Sequence, residues 1–200
     1  MLELASKGDI TGALHRLMQR HGAAVYRYSR EALRDDALAD DVHQQVFTEA
    51  FRDLPRFAGR SSVRVWLFAI ARHRVLDAVK QRRRTRDRFA DLEAVDPPDL
   101  GRSAVDMVDD ARLYEALAAS IAELDEPSRT AVLLRYQQGF TFDDMADICG
   151  EKAGTLHARV ARALPRLRRA IQARLLGPRG CSKPSPRWRA PQLSLRVLMG

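Results

Sequence analysis

Apolar residues along this chain recur at the three-, four- and seven-residue spacings that gather them on one side of a helix. The strict alternation of a half-buried strand is nearly absent. After Asp9, a residue type that caps helices, Ala13, Leu14, Leu17, Met18, Val25 and Tyr28 follow the helical period. A second helix is expected to start near Asp40–Asp41 and to gather Val42, Val46, Phe47, Ala50, Phe51 and Leu54, with Pro55 ending it. "RFAGRSS" then reads as a short loop in which Ser61 or Ser62 caps the next helix, "VRVWLFAIARHRVLDAVKQRRRTR". That helix begins apolar and finishes as a run of arginines.

Between Thr85 and Asp110 the helical period fails. "DLEAVDPPDLGRS" combines Pro97, Pro98 and Gly101 with acids and reads as an extended linker. Helical patterning resumes from Ala111 to Glu123, and "LDEPSRTAVLLRYQQG" gives a further helix closed by Gly139. In "GFTFDDMADICGEKAGTLHARVARALPRLRRAI", Thr141 and Asp144 have capping-box spacing, with Asp in place of the preferred Glu or Gln. Phe142, Met145, Ala146 and Ile148 are the apolar set of a short helix, and Gly150 stands where a left-handed residue closes it. Gly154-Thr155 opens a second helix with Leu156, Val160, Ala163 and Leu164 inward. Two helices joined by a tight glycine turn are the helix-turn-helix layout. Pro165 lacks a backbone donor and is expected to bend or stop this second helix.

The fold class is therefore all-α: two small helical domains, 1–84 and 111–176, joined by an acidic linker, 85–110, and followed by a basic Pro/Arg-rich tail, 177–200. Charge changes this picture. Residues 56–88 carry 11 Lys/Arg against 2 Asp/Glu, residues 89–151 carry 4 against 15, and residues 152–200 carry 12 against none. Phosphate-binding surfaces concentrate positive charge in this way, whereas solubility alone does not require the segregation. A helix in a major groove meets base edges through residues near its N-terminus, and later basic residues reach phosphates. Thr155, His157, Ala158, Arg159 and Arg162 are the candidates on the outer face of the second helix. No run reaches the roughly 18 apolar residues of a membrane span, and "MLELASKGDI" lacks the order of a signal peptide. With only Cys149 and Cys181 there is no disulfide framework, so a cytoplasmic protein is expected. Cys149, His157 and Cys181 match no standard zinc spacing, and no cofactor, metal or catalytic constellation is expected.

Taken in order, these stretches resemble bacterial sigma factors of the extracytoplasmic-function type. "GDITGALHRLMQRHGAAVYRYSR", "ADDVHQQVFTEAFRDLPRF" and "VRVWLFAIARHRVLDAVKQRRR" are similar to sigma region 2. "LDEPSRTAVLLRYQQGFTFDDMADICG" and "GTLHARVARAL" are similar to region 4. The resemblance implies a promoter-specificity subunit without catalytic activity, with core RNA polymerase (its β′ coiled coil and β flap), promoter DNA and an anti-sigma factor as partners. It places Asp41, Gln44, Gln45 and Phe47 at the β′ coiled coil, with His43 where the family has an apolar or small residue. It places Arg56, Phe57, Arg60, Ser61 and Ser62 in a loop pocket for a flipped base of the −10 element. Arg64, Arg72, His73, Arg74, Asp77 and Lys80 fall on the DNA-facing helix, His73 at a position commonly Asn. Region 4 would read the −35 element through Thr155, His157, Ala158, Arg159 and Arg162. Two readings of Trp66 stand, as core residue beside Val63 and Ile70 or as a stacking aromatic. Two also stand for the linker, as an occupant of the RNA-exit channel or as a solubilising tether. The alternative to a sigma subunit is an autonomous helix-turn-helix repressor or activator binding duplex DNA as a symmetric dimer.

Overall fold

The computed structural model describes residues 8–88 and 108–176, and the expectations for the linker centre, the tail and Cys181 lie outside these residues. Every regular element among the described residues is helical. Helix α1 spans Ile10–Leu33, with the Asp9 carboxylate accepting the Gly12 amide at 2.8 Å. It stops at Arg34, whose left-handed backbone (φ 53°) still lets its amide reach the Arg30 carbonyl at 2.8 Å. Helix α2 spans Asp36–Asp53 and starts earlier than the pattern suggested, because Asp35 accepts the Leu38 amide at 3.0 Å and serves as the cap. Pro55 does end the α-helical geometry, within a 3₁₀ turn over Leu54–Arg56.

Helix α3 covers Val63–Arg88, continuing past the point where hydrophobic periodicity fails. Of the two serines offered as its cap, Ser62 takes the role: its hydroxyl accepts from Val65 at 3.2 Å. The second half comprises α4 (Val108–Ala122), α5 (Glu126–Val132, running into a π-turn over Leu133–Gln137), α6 (Phe142–Cys149) and α7 (Ala153–Leu176). The helix expected from Leu124 to Gly139 is thus interrupted. Its widened last turn places Leu133 and Leu134 in the core before Gly139 (φ 71°) turns the chain.

The capping box forms as its spacing predicts. The Thr141 hydroxyl accepts the Asp144 amide at 3.1 Å, and the Asp144 carboxylate accepts the Thr141 amide at 3.1 Å. Gly150 takes φ 65° and closes α6, making α6 and α7 a helix-turn-helix. Pro165 neither stops nor divides α7, contrary to the expectation from its missing donor. Buried Ala163 and Leu167 flank it, so packing on both sides holds the helix together where a hydrogen bond is lost.

The two halves share a core. Buried Leu17, Val25, Tyr28, Phe68 and Val75 from the first half form one apolar cluster with Leu134, Phe140, Met145, Ile148 and Leu156 from the second. Phe68 packs on Tyr28 (centroids 5.7 Å apart) and edge-on against Phe140 (5.0 Å). Polar bonds flank this contact. Arg129 donates to the Ala32 carbonyl across the boundary at 2.9 Å, and to Ala122 and Leu124 at 2.8 and 2.9 Å. Arg34 donates to the Ala118 carbonyl at 2.6 Å, and Tyr114 meets Glu31 at 2.9 Å and Arg30 at 3.2 Å. In urea unfolding, Thr141→Ala should cost about 1 kcal/mol, the usual loss of an N-cap. Phe68→Ala, which empties the middle of the shared core, should cost about 3–5 kcal/mol.

Candidate functional site

Helix α7 projects its candidates as the period requires. Leu156, Val160, Ala163 and Leu167 are buried, while Thr155, His157, Ala158 and Arg162 stand outward in its first turns. The His157 ring meets Phe142 edge-on at 5.0 Å, which ties the start of α7 to α6. Arg159 is half-buried and engaged: Nη1 and Nη2 donate to the two Glu151 oxygens at 2.9 and 2.7 Å. Arg159, Arg162 and Arg166 also border an open depression with Asp125 and Ser128.

The −10 candidates divide into three groups. Arg56, Arg60, Ser62, His73 and Lys80 are exposed, and Ser61 is half-buried beside them. Phe57 stacks at 5.1 Å on Trp66, which is partly buried against the core; the tryptophan thus braces the loop instead of standing free. Arg74 is bound internally, to Glu49 on α2 at 2.6 Å and to Asp77 at 3.3 Å, and His73 lies 3.4 Å from the same Asp77 oxygen. These bonds fix α3 on α2. Arg64 and Arg72 turn to the second half. Arg64 donates to the Gln138 carbonyl and lies 4.1 Å over the Phe140 ring, and Arg72 comes within 3.9 Å of Glu151.

On α2, Asp41, Gln44 and Gln45 share an exposed face, but Phe47 does not belong to it. Only 4% exposed, Phe47 packs in the core 4.9 Å from His43, whose ring also meets Tyr26 at 5.8 Å. Those two aromatic contacts explain how an imidazole is accommodated at position 43. The aromatic beside the glutamines is Phe51, 45% exposed, which the period alone assigns to the core. Its signal was available: Phe51 is seven residues from Gln44 and therefore on the same face.

Cys149 is buried at the end of α6, and burial pushes its thiol up to about 11, so at neutral pH it is a small apolar group. No group of three or more His, Cys, Asp or Glu that could hold a metal occurs among the described residues. None of the described helices is long and apolar enough to cross a membrane.

A helix-turn-helix with an outward row at the start of its second helix, beside a second basic helix, defines a two-part helical DNA-binding protein. Residues 17–85 match the Sigma-70 region 2 family and residues 114–167 match Sigma-70, region 4. The chain is 40% identical over 134 residues to the ECF RNA polymerase sigma factor SigC of Mycobacterium tuberculosis, covering 66% of this chain and 69% of the relative. It is 30% identical over 180 residues to the RNA polymerase sigma-H factor of Pseudomonas aeruginosa, covering 86% and 92%. Its fold is similar to that of the sigma factor RpoE, solved in complex with the anti-sigma factor NepR from Bartonella quintana. That likeness has a TM-score of 0.64 and 23% identity, covering 82% of this chain and 98% of the other. The chain belongs to the extracytoplasmic-function sigma factors. It is a promoter-specificity subunit that binds core RNA polymerase and promoter DNA in transcription initiation.

The Glu151 carboxyl is held below the ordinary glutamate range, chiefly by the Arg159 hydrogen bonds and against the opposing effect of burial. A depressed carboxyl contributes stability that is present above its unfolded value and is lost as pH falls through the lower folded value. Acid urea titrations should therefore show the native protein losing stability more steeply than Glu151→Gln in that window.

Proposed function

We propose that the two halves divide promoter recognition between them, residues 1–84 serving the −10 element and polymerase docking and residues 111–176 the −35 element. On this reading Asp41, Gln44 and Gln45 face the β′ coiled coil, joined by Phe51, with buried Phe47 shaping that helix from beneath. The loop carrying Arg56, Phe57, Arg60, Ser61 and Ser62 receives a base extruded from the −10 strand, and His73, Lys80, Arg64 and Arg72 line the path of that strand. Arg74 and Asp77 hold α3 in place and act through it. Thr155, His157, Ala158, Arg159 and Arg162 enter the major groove of the −35 element.

The observation that carries this reading is the outward row on α7, immediately after the left-handed Gly150, opposite a fully apolar inner face. The protein works without a cofactor or catalytic chemistry of its own, in the cytoplasm, and is restrained by an anti-sigma factor, the kind of partner bound to the RpoE of Bartonella quintana.

Run-off transcription with core polymerase is the direct test. Adding this protein should convert core enzyme to initiation at specific sites on linear DNA. Tight duplex binding with no such conversion would instead mark an autonomous helix-turn-helix regulator. Within an active holoenzyme, Arg159→Ala should weaken binding to −35 duplex by about 1–3 kcal/mol and relax sequence preference there, as loss of a base contact does. An unchanged −35 preference removes Arg159 from the recognition set.

A further inference from the structure

We infer that Asp77 fixes which ring nitrogen of His73 carries the proton, so that His73 offers promoter DNA a hydrogen-bond acceptor. Where it meets the −10 element it then selects a base that bears an amino group, cytosine or adenine. This deepens the division of promoter recognition proposed above and rests on the assignment of His73 to −10 contact.

His73 and Asp77 stand one turn apart on α3, and the imidazole Nδ1 lies 3.4 Å from the Asp77 Oδ2 atom. An ionised carboxylate can only accept, so it favours the ring form with its proton on Nδ1. In a neutral imidazole the other nitrogen, Nε2, is then an acceptor. Asp77 is itself held in place. The same oxygen accepts from Arg74 Nη1 at 3.3 Å, and Arg74 Nε donates to Glu49 on α2 at 2.6 Å. Arg52 lies 3.7 Å from the other Glu49 oxygen. Side-chain exposure rises along this chain of groups, from 19% for Glu49 through 29% for Arg74 and 43% for Asp77 to 65% for His73. The chain is thus anchored between two helices and ends on a ring with most of its surface free to meet DNA.

In the major groove the amino groups of adenine and cytosine donate, while the keto oxygens of thymine and guanine accept. An accepting Nε2 therefore favours adenine or cytosine on the strand it faces. Reversing that preference requires moving the proton to Nε2 and losing the contact with Asp77. On an exposed surface such a contact is weak, which limits the preference to about 5-fold. An asparagine at position 73 would carry donor and acceptor side by side and would not be governed in this way.

Two measurements on the full chain test the assignment. The first is nitrogen NMR of isotope-labelled histidines at about pH 8.5, where an ordinary imidazole is neutral. The His73 signals, identified by their loss in His73→Asn, should show Nδ1 protonated and Nε2 bare. In Asp77→Asn the proton should shift toward Nε2. The second is run-off transcription by core polymerase and this protein on a mapped promoter and on versions with single −10 base pairs inverted. One inversion should lower initiation about 5-fold with the native protein and less than about 2-fold with Asp77→Asn or His73→Ala. In a His73→Ala background, Asp77→Asn should leave the −10 preference unaltered.

A native His73 protonated on Nε2, or on both nitrogens, overturns the proposal, as does a spectrum that Asp77→Asn leaves unchanged. A preference for guanine or thymine also overturns it. If Asp77→Asn lowers initiation on every version alike, Asp77 only braces α3 and the proposal fails. Should Asp77→Asn fail to fold, the native spectrum decides, since any form other than Nδ1–H removes the proposal. The two levels separate in the same experiment. Specific initiation with an inversion profile indifferent to Asp77→Asn removes this inference alone, whereas no specific initiation removes the −10 reading and the inference with it.

Discussion

Guanidinium groups bonded to main-chain carbonyls hold this molecule in one piece. Arg34 reaches the Ala118 carbonyl, Arg64 that of Gln138, and Arg129 those of Ala32, Ala122 and Leu124. Carbonyls at the end of a helix lack an intrahelical partner and carry the negative end of its dipole, so a cation there satisfies two needs together. Arg129 does this for α1 and α4 simultaneously, and burial lowers its affinity for its proton without discharging it. The apolar contact of Phe68 with Phe140 could slide or rotate if it acted alone. Directional bonds at its margins give it one register.

Much of the fold was legible in the sequence because local chemistry and tertiary packing agree there. Asp9, Thr141 with Asp144, Gly150 and the inner row of α7 all follow from rules that depend on a few neighbouring residues. The exceptions are places where one local rule competes with another or with packing. Asp35 caps α2 although the apolar period is visible only from Val42 onward. Pro165 reads as a break, yet the neighbouring Ala163 and Leu167 are buried and carry the helix through. The π-turn at Leu133–Gln137 has no distinguishing residue pattern, since it accommodates side chains arriving from elsewhere in the molecule.

The candidate site was legible as a set of faces and much less as a set of free side chains. The outward row of α7 emerged directly from its period. What a single-helix reading cannot show is the partner each cation meets in three dimensions. Arg74 is bound to Glu49, 25 residues earlier, and Arg64 reaches a carbonyl 74 residues later. Glu151 was an unremarkable turn residue until the fold brought α3 beside it. Phe47 and Phe51 exchanged roles for a related reason: the width of the buried stripe on α2 depends on how α1 and α3 cover it, which the helix itself does not encode.

The shared core has a consequence for how the chain is made. Arg64 and Gln138 are 74 residues apart, so while the ribosome extends the chain between them the surface around Phe68 has no cover. At about 5–20 residues per second that interval lasts roughly 4–15 s, far longer than a helical bundle of this size needs to collapse. The first half therefore has time to collapse while an aromatic, arginine-edged patch still faces solvent. Nascent chains of this protein pass through a stage in which that patch is open to whatever meets it first, whether a chaperone, another nascent copy or the late-arriving helices that belong there.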